Sequence, residues 1–464
     1  MLIALITVNQ LHAQHTDTTR HHKADTAMHH MNMNMPGMQM DMGSMPMNHM
    51  MSNQLSRELP MNRDGSGTSW QPDTTPIYGY MLPGKSWQSM IHGNIMPRFT
   101  DQDVFNRSAN RGGKRVDAPS WLMLMTQHQV GKGGLLAFNA MVSFDPFLVG
   151  EGGYPLLFQT GESYHGRPLV DIQHPHDLFS ELSVAYSQHI ALKTDVYVSI
   201  GYPGEPALGP PVFMHRLSAA NDPDAPLGHH YADATHITFG VATLGFRYDD
   251  FKLEGSAFKG REPDENRYNF EKIQFDSYSV RLSYNPTAEW ALQASNGWIK
   301  SPEATDPADN VDRFTVSAIN TKVYSDDSYL ATTLLYGQNH HSQNGKTQPA
   351  VLLESNLQLK KTAIYGRYEF VQKDAEELDL TGMYPTNPNL NINAFTLGTN
   401  RLLTTVKNTD LRLGVQATVN VSPALVRNLY STAPVGFEVY LRISPSLMKM
   451  GHQRKQMDMD GMQM

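Results

Sequence analysis

Two kinds of residue in this chain could do chemistry by ligation. The first is methionine, at 27 of 464 residues, in a chain with no cysteine. The run MHHMNMNMPGMQMDMGSMPMNHMM over 28–51 holds Met28, Met31, Met33, Met35, Met38, Met40, Met42, Met45, Met47, Met50 and Met51, with His29, His30 and His49 among them. A thioether is a soft donor that suits Cu(I), and Ag(I) by extension, and it binds without losing a proton. Spacings such as Met-x-Met and Met-x-x-Met let several sulfurs of a flexible chain wrap one ion. The histidines add a borderline donor for Cu(II) or Zn. The competing reading is a solvated low-complexity linker. The theme returns at the other end, with Met448, Met450, His452, Met457, Met459, Met462 and Met464.

The second kind is histidine. His165 is followed by His174-Pro-His176-Asp177, and then come Met214-His215-Arg216, His229-His230, Asp233 and His236. His-x-His on an extended segment places both rings on one face, as a metal site needs. The competing reading is that these rings hydrogen-bond and fix their loops. No Ser-His-Asp spacing, nucleotide-binding loop or pair of carboxylates stands out, so the chain does not read as an enzyme. An outer-membrane metalloenzyme using the loop histidines is an alternative, without an evident general base.

Composition narrows the setting. With 37 basic and 45 acidic side chains the formal charge is −8, which excludes a basic nucleic-acid binder. No stretch reaches the ~18 apolar residues of a spanning helix. The absence of cysteine excludes disulfide scaffolds and thiolate sites and suits an oxidising compartment. The apolar run LIALITV at 2–8, ending near the small residue Ala13, reads as a signal-peptide remnant over 1–13. Residues 14–86 read as a Met/His-rich disordered periplasmic extension broken by Pro36 and Pro46, and 446–464 as a Met-rich tail.

The elements that must position the histidines lie in 87–445, where apolar and polar residues alternate in segments of about ten. In Leu411-Arg-Leu-Gly-Val-Gln-Ala-Thr-Val419 the apolar residues share one face, and Arg412, Gln416 and Thr418 the other. About sixteen such segments run from 88–99 to 435–444, the sixth over 236–248. Connections alternate between short turns and long loops. That asymmetry with an even strand number predicts an all-β fold, an antiparallel transmembrane barrel of about 16 strands in a Gram-negative outer membrane. Both termini then lie on the short-turn, periplasmic side. Trp121, Tyr202, Trp290, Trp298, Tyr324, Tyr336 and Phe370 are expected to form an interfacial girdle. Glu254, Arg281, Glu354, Arg367, Glu369, Arg412 and Arg442 are expected in the lumen, as an ion-pair lattice or a selectivity filter.

Several segments carry a resemblance. Ser69-Trp70-Gln-Pro72-Asp73, Gln173-His-Pro-His-Asp-Leu178, Gly204-Glu-Pro-Ala-Leu-Gly-Pro-Pro211, Met214-His-Arg216, His229-His230, Thr235-His-Ile-Thr238 and Gly260-Arg-Glu-Pro-Asp-Glu265 resemble a bacterial family of outer-membrane β-barrels associated with heavy-metal resistance. The likeness spans roughly 55–320. Separately, the Met-rich extension resembles that of the copper resistance protein B family, whose copper role carries over by analogy alone. The implied function is binding and sequestration or export of copper or silver for metal tolerance. Its partners would be outer-membrane lipid, metal ions and periplasmic metal-efflux components, with no nucleic acid. The alternative is a general or solute-selective porin with incidental tails.

Overall fold

Alternation with a period of two puts every second side chain on one face of a strand, and here it builds a closed wall. The computed structural model describes residues 51–448 other than 83, 106 and 108–110. Sixteen antiparallel strands form the wall: β1 Trp87–Ile95, β2 Ser120–Val130, β3 Gly134–Ser143, β4 Phe179–Ala191, β5 Thr194–Gly201, β6 Val241–Tyr248, β7 Phe251–Phe258, β8 Ser277–Thr287, β9 Trp290–Lys300, β10 Asn310–Ser325, β11 Ser328–His341, β12 Thr347–Leu359, β13 Thr362–Asp374, β14 Asn389–Val406, β15 Thr409–Val421 and β16 Val435–Pro445. Each pairs with its neighbours in sequence. β16 closes the ring on β1 at Ile443 and Ile95, and on the short strand Arg98–Asp101 beside it. Short turns gather at one end of the barrel and long loops at the other, as expected. One boundary differs. Thr235-His-Ile-Thr238 alternates like a strand, but it coils inside the lumen, where Thr238 donates to the Gly204 carbonyl at 2.9 Å, and β6 starts at Val241.

The faces are inverted relative to a soluble protein. On β15, Leu413 is 43% and Val415 38% exposed, while Arg412 and Gln416 are 4% and 2% exposed. A closed barrel leaves no unpaired strand edge, and an apolar outer face over a charged interior suits lipid outside and polar contacts within. The chain is therefore an outer-membrane barrel. All seven expected lumen charges are inward and buried, and five of them form ion pairs: Arg281 with Glu254 at 3.0 Å, Arg367 with Glu354 at 3.3 Å, and Arg412 with Asp410 at 3.6 Å. Trp290, Trp298, Tyr324 and Tyr336 are outward and exposed. Trp121 is not a girdle residue. It points inward at 9% exposure, because the same alternation that places Leu122 and Leu124 outside turns Trp121, Met123 and Met125 inside.

Two inserts cross the lumen. The first is residues 51–78, which contradicts an unstructured extension reaching to residue 86. Here Asn139 of β3 donates to Gln54 at 2.6 Å, Arg281 of β8 donates to Thr68 at 2.8 Å, and Thr74 donates to the Thr321 carbonyl at 2.6 Å. Trp70 lies under Lys252 and Arg63, at 4.7 and 4.9 Å from its ring centre. The polar composition that reads as a linker is what a charged lumen accepts. Met28 to Met50, the signal segment and residues 449–464 lie outside the described residues.

The second insert is the long connection from β5 to β6. Ala207 and Gly209 donate backbone N–H groups to Ser256 and Ser295, both at 2.8 Å, and Leu227 donates to Glu369 at 2.6 Å. Arg216 reaches Glu354 of β12 at 2.7 Å, and Arg442 of β16 reaches Asn221 at 3.0 Å. These partners sit on opposite walls, so the loop spans the barrel. Over the long-loop mouth, the hairpin Tyr154–Tyr164 and Arg167–Gln173 packs its apolar face on Leu378, Leu380, Val426 and Tyr430.

Candidate metal centre

The two inward-folded loops bring five of the expected histidines together. His174 and His176 arrive on the extended segment before β4. His229 and His230 sit on the single helical turn His229–Ala232, and His236 on the 3-10 turn that follows. Ring centres are 5.2 Å apart for His229–His230 and His229–His236, 5.3 Å for His176–His236 and 5.4 Å for His174–His230. Phe213 closes one side, 5.4 Å from His229 and 6.2 Å from His176. Glycine lets the overlying hairpin approach: a Cβ at Gly161, whose φ is +108°, would lie 2.4 Å from His230 Nε2.

Each ring is oriented the same way. Nδ1 of His174 is 3.1 Å from Glu162, that of His176 2.8 Å from Asp145, and that of His229 2.6 Å from Asp233. Nδ1 of His230 is 3.3 Å from Glu262, and that of His236 is 2.9 Å from the Asp233 carbonyl. All five partners accept, so Nδ1 carries the proton and Nε2 the free lone pair. The five Nε2 atoms are buried and have no hydrogen-bond partner among the described residues. Burial is the largest cause holding His174, His236 and His229 below the ordinary histidine range, and neighbouring imidazoles add to it, so these rings stay neutral. Burial acts to raise the Asp233 carboxyl, but Arg216 and His229 overcome it and hold it low. A neutral imidazole with its Nδ1–H tied to a carboxylate is the arrangement by which proteins orient and enrich a metal-binding Nε2.

The remaining expected ligands lie elsewhere. Asp177 pairs with Arg267 at 3.2 Å, and His165 is exposed at the hairpin tip. His215 stands apart from the five, 4.7 Å from Trp121 and 5.4 Å from His92. Glu162, Asp145 and Glu262, which anchor the rings, were not singled out as such. Only Glu262 carried a signal, as part of the segment 260–265. Among the described residues, one set brings three ligand atoms within 4.8 Å of one another: Glu58, His189 and Asp195. Arg247 already sits in that set, donating to Asp195 at 2.7 Å and to Glu58, so it is an ion-pair knot at the short-turn end. The five-histidine group is an open cup by comparison.

No family model matches the chain, and no curated protein is similar to it. Among solved structures, the chain is similar to a loop-deletion mutant of OmpT, an outer membrane protein of Vibrio cholerae. They share 9% identity over 78% of this chain and 100% of that one, with a TM-score of 0.47. It is also similar to OmpF of Salmonella typhi, at 10% identity over 79% and 99% with a TM-score of 0.46. An anion-selective porin from Comamonas acidovorans is 12% identical over 77% and 99%, with a TM-score of 0.43. These likenesses carry nothing about function.

Proposed function

We propose that this outer-membrane barrel binds copper or silver ions inside its lumen and serves metal tolerance by sequestration or outward passage, without a catalytic role. One observation carries the reading: five histidine rings pack against one another, each held from behind by an acceptor at Nδ1, and their five buried Nε2 atoms have no partner among the described residues. Leaving five such atoms unpaired is costly unless something binds them. An ion entering the cup draws the rings inward about their side-chain bonds. The Met-rich tails, periplasmic in this reading, collect soft ions and hand them to the lumen, and periplasmic efflux components supply them. The segments that resemble the heavy-metal-associated family fit the same picture, because 173–178, 229–230, 235–238 and 260–265 all contribute to the cup. Against a general porin stand the two inserts that cross the lumen.

The test is copper content after equilibrium dialysis of the full chain in lipid, native beside the double variant His174→Ala/His229→Ala. The expected result is stoichiometric copper that the variant loses. If both chains hold equal copper, the cup is architectural. A lipid-bilayer conductance that is ohmic and indifferent to copper and silver would favour the porin instead.

A further inference from the structure

The interior carries a second group of soft donors. Of the seven fully buried methionines among the described residues, six fall in one cluster, Met51, Met61, Met90, Met123, Met125 and Met141. Strand register explains how the wall part forms. His92 of β1 lies opposite Met123 of β2, which lies opposite Met141 of β3; one rung away, Met90 lies opposite Met125. Directly opposed residues on one face have Cβ atoms about 5 Å apart, so these thioethers and one imidazole line a continuous patch. The N-terminal insert presses Met51 and Met61 onto it, and the loop insert adds Met214. Trp121 borders it, with His92 at 5.2 Å and His215 at 4.7 Å between ring centres.

Packing alone does not call for this composition. Other apolar contacts in the same interior are built without methionine: Leu208 with Val241, Phe258, Ile299 and Val311, or Ala232 with Leu335 and Leu352. In the methionine cluster His92 also has a buried Nε2 without a partner among the described residues. Two further observations point to a mobile occupant. Met51, the last methionine of the Met-rich run 28–51, is buried in this cluster, and Met448, the first of the C-terminal methionines, packs against it. The 3-10 turn Phe213–His215 touches both groups, Phe213 on the five-histidine cup and His215 on His92 and Trp121.

We propose that this chamber is a second metal site, which holds one Cu(I) or Ag(I) ion on thioethers of Met123, Met141 and Met90 with the imidazoles of His92 and His215, and passes it to the cup along Phe213–His215. Thioether and neutral imidazole donors favour soft monovalent ions over hard divalent ones, and the Trp121 ring can shield a cation at its face. The proposal rests on the metal-handling reading above.

The test uses Ag(I) titrated into the full chain in lipid. The readout is the emission of Trp121, taken as the difference between the native chain and Trp121→Phe, since the protein has 5 tryptophans. Silver held by the tails is told apart by the methionine variant below, which leaves every tail methionine in place. The expected result is saturable quenching with Ag(I), absent with Zn(II). In Met123→Leu/Met141→Leu, which keeps volume, the midpoint should move at least about tenfold, as loss of ligand-sphere groups does elsewhere. In His174→Ala/His229→Ala it should stay. No Trp121 response, or the same midpoint in the methionine variant, overturns the chamber. If that happens while copper still binds the cup, the chamber alone is wrong; if neither binds, the whole metal reading falls.

Discussion

Replacing Arg216 by methionine should release the loop insert while leaving the barrel closed. The Arg216 side chain is fully buried, and its Nη1 donates to Asp233 at 2.6 Å and to the Pro211 carbonyl at 3.0 Å, while Nε donates to Glu354 at 2.7 Å. It thus ties the loop to itself and to β12. Removing one partner of a buried ion pair costs about 3–5 kcal/mol, because the other charge is left behind. Here both carboxylates keep something. Glu354 retains Arg367 at 3.3 Å and Ser218 at 2.9 Å, and Asp233 retains His229 at 2.6 Å and the Phe213 N–H at 3.1 Å. The low end of the range applies, about 3 kcal/mol, which raises the open population of the loop roughly a hundredfold. Hydrogen exchange of peptides from 204–238 in lipid reads this directly, with strands β8 to β12 as the internal reference. Exchange in that loop less than about fivefold faster than native would refute the reasoning, and so would equal acceleration in the wall.

Two further outcomes follow from burial and from the outer face. Burial, opposed by Arg281, pushes the Glu205 carboxyl up to about 8. Its folded pKa is then above its unfolded one, so between pH 4.5 and 8 the folded state holds a proton that the unfolded state has lost, and stability falls as pH rises through that window. Glu205→Gln should therefore raise the urea midpoint at pH 8 and leave it near native at pH 4; the same gain at both would refute the assignment. Leu244, 69% exposed near the middle of β6, faces lipid in this fold. Leu244→Arg should cost about 2–4 kcal/mol in lipid refolding, as a charge at mid-depth does, and a neutral effect would deny that this face meets the membrane.

The barrel was legible because strand identity is a local property. The alternation at Leu411–Val419 and the contrast between short turns and long loops needed no long-range information. What the lumen contains was not legible by the same rule. Residues 51–78 show polar character without period, and nothing local says that Arg63, Thr68 and Trp70 find partners about two hundred residues away. Trp121 reads as a girdle aromatic from its place at a strand end, but its face is decided by phase. The five histidines were visible as ligand types in neighbouring loops. Three of their anchoring carboxylates were not, since Asp145 meets His176 only through the pairing of β3 with β4, Glu262 comes from the connection after β7, and Glu162 from the overlying hairpin.

The N-terminal insert also sets an order of assembly. Thr68 finds Lys252 184 residues away, and Thr74 finds Ala288 and Thr321 at separations of 214 and 247. A segment that precedes the first strand can gain such partners only once the wall from β7 to β10 has formed, and contacts so distant in sequence are slow to form. Until then it must wait without collapsing onto unpaired strand edges, which are the sticky surfaces of an unfinished sheet. Its polar sequence suits that wait. The wall therefore has to complete itself around a thread that is already present, and the segment arrives as a keystone seated from within.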